Sequence, residues 1–318
     1  MFNCTLLDDY QNVALDLADW SALQPDVRAR SLQQHIADEE VLIAELADSD
    51  IIVLMRERTP LSAARIARLP RLKLVITSGM RNAAIDLAAC RERGIAVCGT
   101  ASSSAPPMEL TWGLILGLAR HIAAENHALR HNGPWQQYLG MSLQGKTLGL
   151  IGLGKIGGEM ARVAQAFGME VCAWSQHLTA QRASECGVTR MPSLSALLAV
   201  SNIVSVHLVL SDRTHHLLDG DALAQMKPGA LLINTSRAAV VDQQAMVAAL
   251  KSGQLAGAAV DVFEIEPLPV GHELRQLPNV LATPHLGYVA DSNYRLYFTQ
   301  AVENIAAWLK HQPLRSLL

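Results

Sequence analysis

Short apolar runs alternate with stretches of helical period along nearly the whole chain. In the first third, "NCTLL", "VRAR", "DIIVLM", "LKLVIT" and "IAVCG" read as strands. Between them, "DEEVLIAELAD" and "LSAARIARL" carry the apolar spacing of helices. Such alternation predicts parallel sheets joined by helical crossovers. The rhythm breaks at "SSSAPPMELTWGLILGLARHIAAENHALRHNGPW". Pro106 and Pro107 stand where a helix can begin and Gly133-Pro134 where one ends, which predicts one long helix over 106–133 connecting two domains. A second series of strands follows: "TLGLIG", "EVCAWS", "IVSVHLVL", "GALLINTS", "GAAVDVF" and "NVLATP". The last segment, "NYRLYFTQAVENIAAWLKHQPL", predicts a terminal amphipathic helix that must dock, with the first domain as one candidate. The whole pattern predicts an α/β protein of two Rossmann-like, doubly wound parallel-sheet domains. Residues 1–100 with 287–318 form one and 101–286 the other, with a cleft between them where small ligands would bind.

Composition narrows the function classes. Half of the 318 residues are hydrophobic and 17% are charged, which suits a large buried interior. A net charge of −3 without a Lys/Arg run gives no electrostatic grip on nucleic acid. Five cysteines, an odd number with no CxxC or Cys/His ligand spacing, predict free thiols in a reducing compartment rather than disulfides or a metal site. The N-terminus reaches acidic residues by Asp8 without a basic region, so it does not read as a signal peptide. The most apolar helical stretch, from Glu109, meets charge within about a dozen residues and reads as a core helix, not a membrane span. The expected location is the cytoplasm.

"KTLGLIGLGKIGGEMARVAQAFG" contains Gly152-x-Gly154-x-x-Gly157 between an apolar strand and a helical pattern. Alone the spacing is weak; in that context it is a dinucleotide-binding fingerprint. The first glycine permits the turn, the second admits the pyrophosphate, and the third lets helix and strand pack, with the helix N-terminus facing the phosphates. Gly152, Gly154, Lys155, Ile156 and Gly157 are therefore candidate cofactor contacts. NAD-preferring sites place Asp or Glu at the end of the next strand. Here Ser175 and Gln176 occupy that place, and His177 or Arg182 could approach a 2′-phosphate. The cofactor is expected to be NAD or NADP, the choice left open.

Three later strand ends carry polar groups that a packed core does not explain: Arg237 after "LLINTS", Asp261 and Glu266 within "AVDVFEIEP", and His285 in "TPHLG". The carboxyl ends of strands in a doubly wound sheet face the ligand crevice, so these loops should converge there. Taken singly, Arg237 would be a surface ion-pair member and His285 a capped loop histidine. His207, interrupting "SVHLVL", is either a cofactor contact or a satisfied core histidine, while His215, His216 and His272 are expected at the surface.

With "GLGKIG", "NTSRA", "DVFEIEP" and "TPHLG" in that order, the chain resembles the D-isomer-specific 2-hydroxyacid dehydrogenase family over essentially its whole length. The resemblance implies an NAD(P)-dependent oxidoreductase, working as a 2-keto acid reductase. The first domain would be a flavodoxin-like substrate domain and the second the NAD(P)-binding domain. It implies Arg237 as the holder of the substrate carboxylate, His285 as general acid and base, and Glu266 as the partner of the far ring nitrogen. Asp261 resembles the family residue that contacts the nicotinamide end of the cofactor; Thr235 is a further candidate cofactor contact, and Glu264 would be a solvent-facing loop acid. A homodimer is implied as well, with the 106–133 helix contributing to its interface.

The chain departs from the family pattern in its substrate loop. "TSGMRNAAID" replaces a glycine-rich run: Ser78, Gly79 and Met80 could form an amide nest for the substrate carboxylate. Arg81 stands where a second glycine is common and either reads a further anionic group or points to solvent. Arg56 adds a base at another strand end, and Tyr288 and Tyr294 are bulky enough to reshape a pocket entrance. These departures put the substrate in doubt and speak against a phosphoglycerate dehydrogenase; no regulatory module is expected after Leu318. The competing readings are a dinucleotide-sensing binding protein without turnover, such as a corepressor, and a formate dehydrogenase, against which Glu266 argues because that branch carries glutamine there.

Overall fold

The computed structural model describes residues 1–312 and 314–318. The chain divides into two compact units, 1–103 with 290–318 and 104–289. Unit 1 holds the strands β1 (Phe2–Leu6), β2 (Val27–Ser31), β3 (Ile51–Leu54), β4 (Leu74–Thr77) and β5 (Ala96–Gly99). They form one sheet in the order β2-β1-β3-β4-β5, every pair parallel, which is the flavodoxin-like order. Residues of β3 and β4 are buried throughout, as expected of parallel strands covered on both faces. The helices α1 (Glu39–Leu46), α2 (Ala63–Ala67) and α3 (Leu87–Glu92) start at Asp38, Ser62 and Asp86, whose side chains each accept an amide hydrogen bond in the first turn.

Unit 2 contains α4 (Ala105–Ala119), α5 (Ile122–Arg130), β6 (Thr147–Ile151), α6 (Lys155–Ala166), β7 (Glu170–Trp174), α7 (Ala180–Glu185), β8 (Thr189–Arg190), α8 (Leu194–Val200) and β9 (Ile203–Val206). It continues with α9 (Gly220–Ala224), β10 (Ala230–Asn234), α10 (Gln243–Ser252), β11 (Leu255–Val260) and β12 (Val280–Ala282). The seven strands run in the order β12-β11-β10-β9-β6-β7-β8, all parallel. The direction of winding reverses between β6 and β9, so a ligand crevice is expected at the carboxyl ends of those two strands. One layer of core, with Trp112, Ile115, Leu150 and Met160, lies on the α4 and α6 side; another, with Ile151, Val204, Leu232 and Leu250, lies on the α8 to α10 side.

Two sequence expectations change, and one short strand is added. The helix expected over 106–133 is two helices, with His121 in the left-handed region at φ 53° between them. The apolar run ends at Ala119, and the Met141 amide returns to bond the Ala119 carbonyl, closing α4 from outside. The strand read through Leu210 stops at Val206, and Val209 and Leu210 are exposed apolar residues of a loop. The two exposed residues of β8 had no hydrophobic pattern to announce them.

The terminal helix α11 (Asp291–Leu309) docks within unit 1: Trp308 packs edge-on against Phe2 at 5.1 Å, and Asn304 Nδ2 donates to the Gly99 carbonyl. The residues after it return to β5, with the Gly99 amide bonding Arg315 and the Leu317 amide bonding Val97. All five cysteines are free; four are buried, and burial pushes the Cys90 and Cys98 thiols up to about 11. No helix among the described residues is long and apolar enough to cross a membrane.

Leu232 lies at the centre of β10 with no exposed surface, whereas Val270 is 90% exposed. Leu232→Ala should cost roughly 2–5 kcal/mol of stability in urea unfolding. Val270→Ala should stay within about 0.5 kcal/mol of the parent.

Candidate active site

The glycine loop follows β6 at the point of strand-order reversal. Gly152 has φ 101°, and a side chain there would strike the His207 carbonyl oxygen at 2.6 Å. A Cβ on Gly157 would collide with the Gly152 carbonyl, so the start of α6 sits directly against the turn. Gly154 differs from both: nothing lies within 4 Å of where its Cβ would be. It forms the N-terminal boundary of α6 with no side-chain cap, leaving the helix's first amides to an anion. Closed packing at two glycines and an open face at the third fit a dinucleotide pyrophosphate. Lys155 is exposed at the first position of the helix, and Ile156 packs on the core below.

Around this loop the candidate residues separate. Arg182 does not reach outward: Nε donates to the Leu153 carbonyl and Nη2 to the Gly154 carbonyl, each at 3.1 Å, bracing the loop. Ser175 is half-buried after β7, while Gln176 and His177 are exposed. His207 bonds Ser205 through Nε2 at 2.9 Å, and withdrawal from water pushes its imidazole down to about 4, so it is neutral at neutral pH. His215 and His216 stack at 4.0 Å; His216 and His272 are half-buried rather than fully at the surface, His272 because it caps a turn at the Leu274 amide.

Three adjacent strands, β10, β11 and β12, end in the other candidate groups. After β10, the buried Asn234 folds the turn: Oδ1 accepts from the Ser236 amide and hydroxyl, and Nδ2 donates to the Arg237 carbonyl at 3.0 Å. This places the half-buried Arg237, whose Nη1 donates to the Ser236 carbonyl. Thr235 bonds Thr111 of α4 at 2.8 Å. After β11 comes Asp261, 1% exposed, which accepts from Thr283 Oγ1 at 2.6 Å, the Leu286 amide at 2.7 Å and the Gly287 amide at 2.8 Å. Burial pushes this carboxyl's pKa up, and the donated hydrogen bonds together with His285 oppose the rise.

Asp261 thereby fastens the loop that carries His285. That histidine has φ 55°, a left-handed conformation uncommon outside glycine, held here by the bonds on either side of it. Its Nδ1 lies 2.7 Å from Glu266 Oε2, and Glu266 Oε1 accepts from the Phe263 amide at 2.9 Å. Both side chains keep partial contact with solvent, 22% and 28% exposed. Tyr288 stands edge-on to the His285 ring at 5.5 Å, and Glu264 is exposed.

In unit 1, the expected amide nest does not form from Ser78 and Gly79. The Ser78 amide bonds the Leu54 carbonyl, and the Gly79 amide bonds Thr100 Oγ1. The Arg56 guanidinium lies over Gly79, where any side chain would collide with it. Met80 and Arg81 are exposed, and Asn82, which sequence reading passed over, ties the loop together through Arg56, Thr77 and Ala84. Tyr294 is a core ring of unit 1 rather than part of an entrance: it packs against Phe298 at 5.7 Å, bonds Gln11, and is pushed up to about 12 by burial.

Comparison with known proteins gives these features a context. Residues 112–287 match the family described as D-isomer specific 2-hydroxyacid dehydrogenase, NAD binding domain. The chain is 39% identical to the (S)-sulfolactate dehydrogenase of Chromohalobacter salexigens, over 80% of this chain and 82% of that one. It is 35% identical to the hydroxypyruvate reductase of Thermotoga maritima, over 86% and 88%. Among solved structures, that of a putative D-3-phosphoglycerate dehydrogenase from Ralstonia solanacearum superimposes with a TM-score of 0.95 at 36% identity, covering 100% of this chain and 97% of that one. The chain spans about half the length of several curated D-3-phosphoglycerate dehydrogenases that it also matches.

The depressed His207 imidazole makes stability depend on pH. Between about 6.5 and about 4 the unfolded chain takes up a proton that the folded one refuses. Unfolding free energy should therefore fall as pH drops through that window, and His207→Gln should flatten the slope measured by urea titration at stepped pH.

Proposed function

Because the chain belongs to the D-isomer-specific 2-hydroxyacid dehydrogenase family, we propose that His285, Glu266 and Arg237 are the groups with which it interconverts a 2-keto acid and its 2-hydroxy acid. The family carries oxidoreduction of 2-hydroxy and 2-keto acids with NAD or NADP. What supports the residue assignment is the 2.7 Å bond between His285 and Glu266 at the ends of neighbouring strands.

When bound, the nicotinamide supplies or accepts the hydride. The residues of the chain manage the proton and the charge. With Nδ1 bonded to Glu266, Nε2 of His285 is the nitrogen left to give a proton to the carbonyl oxygen in reduction and to take it back in oxidation. Glu266, fixed at its other oxygen by the Phe263 amide, keeps the ring from turning and offsets the positive charge of its doubly protonated state. Arg237 presents a planar fork suited to the substrate carboxylate and to polarising the carbonyl beside it.

Gly152, Gly154, Lys155, Ile156 and Gly157 are assigned to the pyrophosphate and Ser175 and Gln176 to the adenosine ribose. Thr235, His207 and Asp261 are assigned to the cofactor's surroundings. For Asp261 the hydrogen bonds add a positioning task, since they hold the His285 loop. Ser78, Gly79, Met80 and Arg81 are proposed for substrate binding by their place in the loop that answers to the family's substrate loop; a homodimeric state is proposed on the resemblance, and a cytoplasmic location on the five free cysteines.

NADH and NADPH oxidation should be followed at the nicotinamide absorbance across glyoxylate, hydroxypyruvate, pyruvate, phenylpyruvate and branched-chain keto acids. At least one should turn over, and His285→Ala should lower kcat about 10²–10⁴-fold with little change in cofactor affinity. Unaltered turnover in that variant would remove His285 from the mechanism.

Glu266→Gln should leave the fold intact and lower kcat about tenfold or more, because the ring loses the carboxylate that holds Nδ1. A kcat equal to the parent's would break the proposed pairing.

A further inference from the structure

Resting on the cofactor reading above, we propose that this chain selects the 2′-phosphorylated dinucleotide, with Arg213, His177 and Ser175 receiving the phosphate. Two loops carry the observation. One follows β7 and holds Ser175, Gln176 and His177; the other follows β9 and holds Arg213. β7 and β9 flank β6 on opposite sides, so a contact between their loops spans the carboxyl end of β6, where the glycine loop begins. Arg213 Nη1 and His177 Nε2 make that contact at 3.2 Å.

The chemistry of the pair fixes its protonation pattern. A guanidinium keeps its proton and can only donate, so the imidazole accepts at Nε2 and carries its hydrogen on Nδ1. The pair presents one full positive charge and a set of donors, all on exposed side chains that a ligand can reach. An adenosine ribose 2′-hydroxyl needs an acceptor, which NAD-selective sites supply as a carboxylate at the strand end. Ser175 stands there instead, small and uncharged, leaving room and no repulsion for a dianion.

Beside Arg213, the residues Leu210, Ser211, Asp212 and His215 line a surface recess of about 410 Å³. The apolar side chain of Leu210 suits the face of an adenine, which would put the ribose near the basic pair. Asp212 is the one carboxylate lining the recess, and its charge makes discrimination depend on Arg213. Arg182 contributes nothing to the phosphate, because its guanidinium is engaged by the Leu153 and Gly154 carbonyls.

The test is direct binding of NADPH and of NADH to the full chain by calorimetry, without substrate. NADPH should bind about tenfold or more tightly than NADH, the worth of one charge-assisted hydrogen-bonded contact. Arg213→Ala should weaken NADPH by a similar factor and NADH far less, and Ser175→Asp should reverse the preference. The probe 2′,5′-ADP should compete where 5′-AMP competes poorly. NADH binding as tightly as NADPH overturns the proposal while leaving the dinucleotide site standing. An NADPH preference that survives both Arg213→Ala and His177→Ala overturns the assignment of the pair. Binding of neither dinucleotide overturns the cofactor reading and this proposal together.

Discussion

A buried carboxylate ties together the end of unit 2 that carries the candidate site. Asp261 leaves β11 into an interior with almost no water and takes three hydrogen bonds from the segment that follows β12. Desolvating a carboxylate is costly, and only donors in number and in place make it tolerable. The consequence is that residues 283–287 have little freedom to move relative to β11, and His285 stands in the middle of them at a positive φ. Glu266 then needs only a short excursion of the chain from Asp261 to meet the ring. Position and partner of the imidazole both descend from one acid that itself faces neither.

The glycine loop obeys a complementary constraint, of exclusion rather than attraction. Gly152 and Gly157 are required by the neighbours their missing side chains would strike, namely the His207 backbone and the turn itself. Gly154 is required by what is kept clear. The same stretch of chain is thus tight on its inner side and open on its outer one, and Arg182 reinforces the inner side through two carbonyls. The neutral His207, bonded to Ser205 under the loop, adds no charge there.

Much of this was legible in the residues. Parallel strands are apolar runs because both their faces are covered, and helix starts are marked by Asp, Ser and Thr that cap them. The sheets and most crossovers could therefore be read directly. The Glu266–His285 pair was legible only through motif order, since nothing in a local window brings two residues 19 positions apart to bonding distance. What escaped was set by contacts at a distance. His121 breaks a helix whose composition is continuous, because Met141 claims the carbonyl of Ala119. Asn234 and Asn82 look like ordinary polar residues at strand ends, and only their turns show that each satisfies several backbone groups. Ser78 and Gly79 looked like free amides, and the backbone of β3 and the hydroxyl of Thr100 had already engaged them.

The split composition of unit 1 bears on the order in which the protein is made. Its five strands emerge first, yet α11 and the residues pairing with β5 come from the far end of the chain. Unit 2 is continuous and has all its parts once residue 289 has left the ribosome. The strands of unit 1 meanwhile lack the helix whose Trp308 packs on Phe2 and the partner that satisfies Gly99. Synthesis therefore inverts the sequence order: the second unit is completed before the first, and the first waits with an open edge and an uncovered face until the last segment arrives.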